Sequence, residues 1–181
     1  MAEDLPDIDS EQDRLKGRPS RARYDKVHLA LERKWRRREL KTERMMREVT
    51  DALWNAFAES PYSWCGFFLL TPDGMSLLLG PHRDHPVRSP LPLQGICGRV
   101  ASGGRPLVVP DVPALGEDAG TGAAGAASAI ALPVFDAAGK LWAVFEVDSA
   151  APKAFDEMDQ RWLERILKHF QDVKPTPEAG R

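Results

Sequence analysis

The chain has 181 residues, 43% of them hydrophobic and 29% charged, and its formal net charge at pH 7 is −2. No apolar run approaches the roughly 20 residues that a membrane-spanning helix needs, and the acidic start lacks the apolar segment of a signal peptide. Only two cysteines, Cys65 and Cys97, are present, so no disulfide framework is implied. We therefore expect a soluble cytoplasmic protein with no membrane partner.

Charge is unevenly distributed along the chain. The first 13 residues carry acids and no Lys or Arg, residues 14–47 are strongly basic, and the remainder is acidic. Segregation of this kind predicts appendages that differ from the folded core. We predict a disordered acidic lead at 1–20, a basic helical extension at 21–45, a globular domain at 46–171 and a flexible tail at 172–181.

Helix-forming residues dominate from Arg21 to Phe57, a stretch without proline or glycine. The pattern predicts either one long helix or two helices broken near residues 36–41, ending before Ser60-Pro61. Apolar residues recur there at helical spacing in two groups, Tyr24, Val27, Leu31 and Trp35, then Met46, Val49, Leu53 and Phe57.

The two apolar groups predict different contacts. We expect the second group to pack on the last helix of the same domain. The first group has no evident core of its own, and an exposed apolar stripe usually marks an interface, so we expect residues 21–57 to form a homodimer. The basic run KWRRRELKTERMMR could instead contact the phosphates of a nucleic acid, but partner packing is the favoured interpretation.

Two hairpins are predicted by short apolar runs separated by turn residues. Residues 64–70 (WCGFFLL) and 75–80 (MSLLLG) are joined by the turn sequence TPDG. Residues 129–136 (AIALPVFD) and 141–149 (LWAVFEVDS) are separated by AAGK and form the stronger signal.

The segments around these hairpins are less regular. Residues 81–94 predict a proline-rich crossing, 95–106 a short helix punctuated by glycine, and 107–112 a brief strand. A closing helix begins after Asp156, a good N-cap, and runs to about Asp172, with apolar residues on one face.

With the predicted helices and strands in this order, residues 46–171 resemble a GAF domain. Within that class they are most similar to the free methionine-(R)-sulfoxide reductases. The resemblance implies an α+β fold, with an antiparallel sheet of about six strands flanked by the first and last helices. It is carried by Ser63-Trp64 with Gly66-Phe67, Leu79-Gly80-Pro81, Gly95-Ile96-Cys97-Gly98 and Glu146-Val147-Asp148-Ser149.

The resemblance implies a reaction in which a cysteine thiolate attacks the sulfoxide sulfur and a second cysteine resolves the product as a disulfide, without a cofactor. Members of that family typically carry three cysteines, of which this chain keeps only Cys97. The expected nucleophile position, near Thr121 or Gly122, and the position near Val87 hold no cysteine. Ser or Thr cannot replace them, because the reaction needs a soft nucleophile that can form a disulfide.

Four residues are candidates for ligand binding. Glu146 and Asp148 are two apart on a strand, so both side chains project from one face, and Trp64 and Phe68 likewise share a face of another strand. Gly66 between the two aromatic residues is expected to open space. The resemblance implies that these side chains line the substrate pocket and that Ala129 replaces an acid of the family. A solvated strand face and ordinary core packing are the alternatives.

The cysteines and histidines give weaker signals. Cys97 lies at the start of a short helix, where the helix dipole could favour its thiolate, although two buried structural thiols are the favoured interpretation. His82 and His85 flank Asp84 in a proline-rich loop, which we interpret as a surface loop rather than a metal site.

The sequence therefore predicts a domain that binds a small polar or amino-acid-like ligand or a protein partner and that lacks the reductase chemistry. We expect no cofactor, a homodimer and no nucleic-acid partner. The first alternative is an active free methionine-(R)-sulfoxide reductase using Cys97. The second is a nucleic-acid-associated regulator acting through residues 33–47.

Overall fold

The structure is a computed structural model that describes residues 20–36, 41–58, 61–119 and 124–172. It begins with two helices, α1 (Ser20–Trp35) and α2 (Thr42–Phe57). The two-helix alternative is therefore correct, because Lys41 adopts an extended backbone (φ −68°, ψ 137°) immediately before α2. The predicted acidic lead before Ser20 and the tail after Asp172 lie outside the described residues.

Six strands form one antiparallel sheet in the order β3-β2-β1-β6-β5-β4. The long central pair consists of one strand from each predicted hairpin, and this pairing joins the two halves of the domain. The strands are β1 (Trp64–Leu70), β2 (Ser76–Arg83), β3 (Leu91–Pro92), β4 (Leu107–Val109), β5 (Ser128–Phe135) and β6 (Leu141–Ser149). An α+β fold with a six-stranded antiparallel sheet is confirmed.

The edge strand β3 was not predicted, since its residues fall within the segment that the sequence marks as a proline-rich crossing. Its two residues pair with Ser76 and Leu77 of β2. Two residues are too few to show the alternation that identifies a strand in a sequence.

Two further α-helices follow, α3 (Ile96–Gly103) and α4 (Glu157–Leu167). One 3-10 segment, Pro113–Ala119, lies between β4 and β5, and a 3-10 turn, Lys168–Asp172, continues α4. Asp156 caps α4 as predicted, since its side chain accepts hydrogen bonds from the backbone N–H groups of Met158 and Asp159. The Asp159 carboxylate in turn accepts a hydrogen bond from the Asp156 backbone N–H, which completes a capping box and explains the abrupt start of α4.

The helices α1, α2 and α4 cover one face of the sheet and form the larger apolar core with it. We call this side the helix face. Side chains at alternating positions of β1 and β6, such as Phe67 and Phe145, point into this core, where their ring centroids are 4.7 Å apart. Alternation along a strand sends the intervening residues to the opposite side of the sheet.

The expectation that the first apolar group lacks a core is wrong. Tyr24, Val27 and Leu31 are buried against α2 and α4 of the same chain. The Tyr24 hydroxyl donates a hydrogen bond to Oδ1 of Asp159 (3.0 Å) and lies 2.9 Å from the Tyr62 hydroxyl. The first apolar group thus belongs to the core of its own chain, because α4 packs beside α1. The homodimer stays a prediction, and this apolar group no longer supports it.

Glu48 joins α1 to α2. Its carboxylate accepts a hydrogen bond from Nε1 of Trp35 (2.6 Å) and forms ion pairs with Lys34 (3.0 Å) and Arg44 (3.1 Å). On α2, Arg47 also pairs with Glu43. Several basic side chains of this region are therefore neutralised within the chain, which leaves fewer of them to contact phosphates.

Candidate functional site

The sheet face opposite the helix face carries the four residues predicted to bind a ligand, and we call it the site face. On β6, Glu146 and Asp148 have no exposed surface. Glu146 is paired across the sheet with Gly66 and Ala131, and Asp148 with Trp64 and Ala129. Small residues therefore flank Glu146 on both neighbouring strands and Asp148 on one of them, and the Cys97 thiol interacts with the carboxyl group of Glu146.

Trp64 is the aromatic centre of the site face. Its ring centroid lies 5.7 Å from that of Phe68 and 6.1 Å from that of His82, and its plane is within 30° of both. Its Nε1 donates a hydrogen bond to the backbone carbonyl of His85 (3.1 Å). The loop after β2 therefore holds the indole in one orientation against the sheet.

Gly66 is required by the position of the Trp64 indole. A Cβ atom at Gly66 would lie 2.7 Å from Cη2 of Trp64 and 2.6 Å from Cβ of His82, closer than real atoms approach. The glycine does not open an empty space, as the sequence suggested, because the ring of Trp64 folds over it. This glycine lets the indole lie flat across β1, beside the strand that carries the carboxylates.

The helix α3 closes the site face and brings Cys97 to it. Cys97 is buried in the same cluster as Trp64 and Phe68. Burial raises the pKa of the Cys97 thiol well above its ordinary value, and the neighbouring carboxyl groups of Glu146 and Asp148 raise it further. The expectation that the helix dipole favours the thiolate is therefore wrong, since desolvation and two acidic neighbours act against it.

The glycine after Cys97 has a packing role. A Cβ atom at Gly98 would lie 2.2 Å from the backbone carbonyl carbon of Leu93. Only glycine allows α3 to approach the preceding segment this closely. The Gly-Ile-Cys-Gly element thus positions a helix, whatever its chemical role.

The second cysteine lies on the other side of the sheet. Cys65 belongs to the helix-face core, where its thiol is 3.9 Å from the Thr50 carbonyl oxygen, and burial raises its pKa. Cys97 belongs to the site-face cluster. Because the sheet backbone separates the two thiols, they cannot approach to disulfide distance while the domain is folded.

His82 near the end of β2 and His85 in the loop that follows both contact Trp64, so the sequence prediction that places both histidines in a surface loop is wrong for His82. His82 stacks on the indole, and the Nδ1 atom of His85 lies within hydrogen-bond distance of the Asp84 carboxylate. Within residues 20–36, 41–58, 61–119 and 124–172, no group of three or more His, Cys, Asp or Glu side chains is placed to hold a metal. The part that His82 plays in the aromatic stack was missed, because its contact with Trp64 depends on the register of β1 and β2.

The loop before β5 is only partly described. Thr121 and Gly122, where the resemblance places the nucleophile, lie outside the described residues. Ala129, at the start of β5, is buried opposite Asp148, so no third carboxylate stands at that position.

A separate cleft of about 530 Å³ lies between α2 and β2. Its charged residues include Arg83 and Asp51, which form an ion pair, and Arg47, which pairs with Glu43. Neither Glu146 nor Asp148 lines this cleft, and its ion pairs form within the chain, so we do not assign the site there.

The family model of the GAF domain matches residues 39–172. This chain belongs to the GAF domain family. It is 31% identical over 110 residues to Protein YtsP of Bacillus subtilis, covering 60% of this chain and 66% of that protein. It is 27% identical over 125 residues to the free methionine-R-sulfoxide reductase of Saccharomyces cerevisiae, and the match covers 66% of this chain and 68% of that protein. This GAF domain thus spans about two thirds of the length of these relatives.

Solved structures agree with this assignment. The free methionine-R-sulfoxide reductase of Neisseria meningitidis, solved in complex with its substrate, superposes with a TM-score of 0.77 at 25% identity, covering 86% of this chain and 90% of that one. A structure described as the GAF domain superposes with a TM-score of 0.80 at 20% identity, and the match covers 89% of this chain and 92% of that one. The predicted similarity to GAF domains and to these reductases is confirmed. No described helix is long and apolar enough to cross a membrane.

Proposed function

We propose that this GAF domain binds a small polar ligand that carries a cationic group, such as an amino acid or an amine, and that it does not reduce sulfoxides. The observation that carries the proposal is the pair of fully buried acidic residues, Glu146 and Asp148, beside the Trp64 ring on the site face. An ammonium group would donate charge-assisted hydrogen bonds to the carboxylates and gain a cation–π contact of roughly 0.5–2 kcal/mol with an aromatic ring.

Similarity to known proteins supports a ligand of this kind. The free methionine-R-sulfoxide reductases of Neisseria meningitidis and Staphylococcus aureus were each solved with their substrate, and both resemble this chain at 25% identity. Methionine sulfoxide is itself an amino acid with an ammonium group. Ala129, which stands opposite Asp148, offers no charge, so we expect the ligand preference of this chain to differ from theirs.

The positions of the thiols support the absence of reductase activity. Reduction of a sulfoxide by thiols converts it to the sulfide and water while two thiols become one disulfide, so a second thiol must reach the first. Cys65 and Cys97 are the only cysteines of the chain, and they lie on opposite faces of the sheet. The raised pKa of Cys97 further disfavours the thiolate that would attack.

A thermal-shift screen of free amino acids, simple amines and both epimers of methionine sulfoxide tests binding. A ligand at about 100 times its dissociation constant adds roughly 2.7 kcal/mol to the free energy of unfolding. Glu146→Gln and Asp148→Asn should each weaken the best ligand by at least about tenfold, because each removes a charge-assisted hydrogen bond. Glu157→Gln, on the exposed surface of α4, serves as the control. A ligand whose affinity is the same in all three variants would place the site elsewhere.

A coupled assay tests catalysis separately. Oxidation of NADPH through thioredoxin and its reductase should stay at background with methionine-(R)-sulfoxide in the wild-type protein. Activity that is lost in Cys97→Ser and kept in Cys65→Ser would overturn the non-catalytic part of the proposal and leave the binding part standing.

A thiol count supplies a second check on catalysis. Folded protein treated with diamide should retain two free thiols within one chain, whereas protein oxidised in urea should form the Cys65–Cys97 disulfide. Mass spectrometry of peptides from both samples distinguishes the outcomes. An intrachain disulfide formed rapidly under native conditions would contradict the separation of the two thiols.

A further inference from the structure

Two histidines meet where the first helix packs against the end of the last one. Nδ1 of His28 on α1 lies 3.4 Å from Nε2 of His169 in the 3-10 turn after α4, and their ring centroids are 5.1 Å apart. His28 is buried, and His169 is half-buried. Neutral imidazoles can share one proton across this contact, whereas two protonated rings would place two positive charges and two donors against each other.

The surroundings of the pair do not compensate a second charge. The guanidinium of Arg165 lies over the Trp162 ring at 5.3 Å, and Trp162 packs edge-on to His28 at 6.4 Å. Trp35 covers His169 edge-on at 5.3 Å. The acidic neighbours are Asp25 and Glu32 on α1 and Asp172 in the 3-10 turn. Glu32 lies 4.0 Å from the guanidinium of Arg36, the residue that follows α1.

We propose that the His28–His169 contact is an acid-sensitive latch that holds α1 on α4 near neutral pH and loosens it in mildly acidic solution. The latch is independent of the ligand site, which lies on the opposite face of the sheet. It acts on a helix that precedes residues 39–172, the part of the chain matched by the GAF family model. The released form would expose the apolar side chains of Tyr24, Val27 and Leu31, which α1 buries in the docked form.

The direction of the pH dependence follows from the protonation of the two forms. Burial is the main cause that lowers the pKa of both His28 and His169 below the ordinary value of 6.5, and Arg165 adds to the effect on both. The loosened form binds protons more readily than the docked form as pH falls below about 6.5. Each histidine that takes up a proton on release changes the equilibrium by up to about tenfold per pH unit. The docked form is therefore fully favoured above pH 6.5 and progressively lost below it.

Hydrogen exchange of the full chain, with mass spectrometry of peptides from 20–36, measures the release. After correction for the intrinsic rate, protection of this segment should fall at least about tenfold between pH 7.5 and pH 5.5, while peptides from β6 keep theirs. His85→Gln, a control on the exposed loop, should behave like the wild type. His28→Gln and His169→Gln should each reduce the pH dependence of protection in α1. Unchanged wild-type protection across this range, or an unchanged pH dependence in both Gln variants, would refute the latch.

An NMR titration of the wild-type protein tests the same idea without a substitution that could impair folding. The chain has four histidines, so each imidazole can be followed separately. The pKa values of His28 and His169 should both lie below the ordinary histidine value of 6.5, with line broadening in α1 over the same pH range. A pKa at or above the ordinary value of 6.5 for both latch histidines would overturn the proposal.

Discussion

Neighbouring residues of β6 enter very different surroundings. Phe145 and Glu146 are adjacent and equally buried, but Phe145 packs against Phe67 beneath the helices, whereas Glu146 lies on the site face near Trp64 and Cys97. The helix face is closed by three helices, and its large apolar core encloses the hydrogen bond from Tyr24 to Asp159. The site face buries two carboxyl groups under a short helix and loops. The helix face and the site face of β6 are therefore equally buried. They differ in the chemistry of the side chains that they bury.

The largest expected effect lies on the helix face. Phe145→Ala should lower the free energy of unfolding by about 3–5 kcal/mol, because it removes a ring from a closely packed core and leaves a cavity. Urea unfolding monitored by circular dichroism measures this. Val144→Ala, one residue away on the site face, removes less volume and should cost clearly less. Equal costs at the two positions would contradict the view that the helix face dominates stability.

Gly66→Ala tests the site face by overpacking. The added methyl must displace the Trp64 ring or the His82 side chain, and we expect a loss of about 1–3 kcal/mol in the free energy of unfolding together with altered tryptophan fluorescence. Gly103→Ala in α3 is the matched control, since a Cβ there meets no atom within 4 Å. A Gly66→Ala protein with wild-type stability and fluorescence would show that the indole does not lie across the glycine.

Tyr24→Phe tests the polar contact inside the helix face. The substitution removes the hydroxyl that donates to Asp159 and contacts Tyr62, and the buried partners would lose a hydrogen bond worth about 1–2 kcal/mol. Thermal unfolding of Tyr24→Phe, Tyr62→Phe and the double variant measures the coupling. Additive losses would mean that the two hydroxyls do not interact.

The smallest effect is expected at the junction of α1 and α2. Burial tends to raise the pKa of Glu48, but hydrogen bonds from Trp35, Lys34 and Arg44 outweigh it and lower the pKa below its ordinary value of 4.5. Glu48→Gln should therefore reduce stability by about 0.5–1 kcal/mol at pH 7. Because a lowered carboxyl pKa stabilises the fold only while the group is ionised, this difference should vanish as pH falls below about 4.5.

The pH range also separates this effect from the histidine latch. Stability curves of the wild type and of Glu48→Gln, compared between pH 3 and pH 8, should differ above pH 5 and converge at the acidic end. A difference that persists unchanged to pH 3 would show that packing of the side chain, rather than its charge, is responsible.

The sequence by itself determined the elements that carry a regular signal. Residues 64–70 and 141–149 were predicted with the bounds that β1 and β6 have, and Asp156 was identified as the cap of α4. The shared face of Glu146 and Asp148 also followed from alternation along one strand. In each case the decisive interactions are local, so the residue pattern is sufficient.

Only the tertiary structure decided which partner covers each buried surface. Periodicity shows that Tyr24 and Leu31 share one side of a helix, but it does not show that α4 returns to cover them. It likewise cannot show that Cys65 and Cys97 lie on opposite faces of the sheet, or that the Trp64 indole occupies the space over Gly66. These contacts join residues far apart in the chain or depend on strand register, and their free energy is gained only when the whole sheet is assembled.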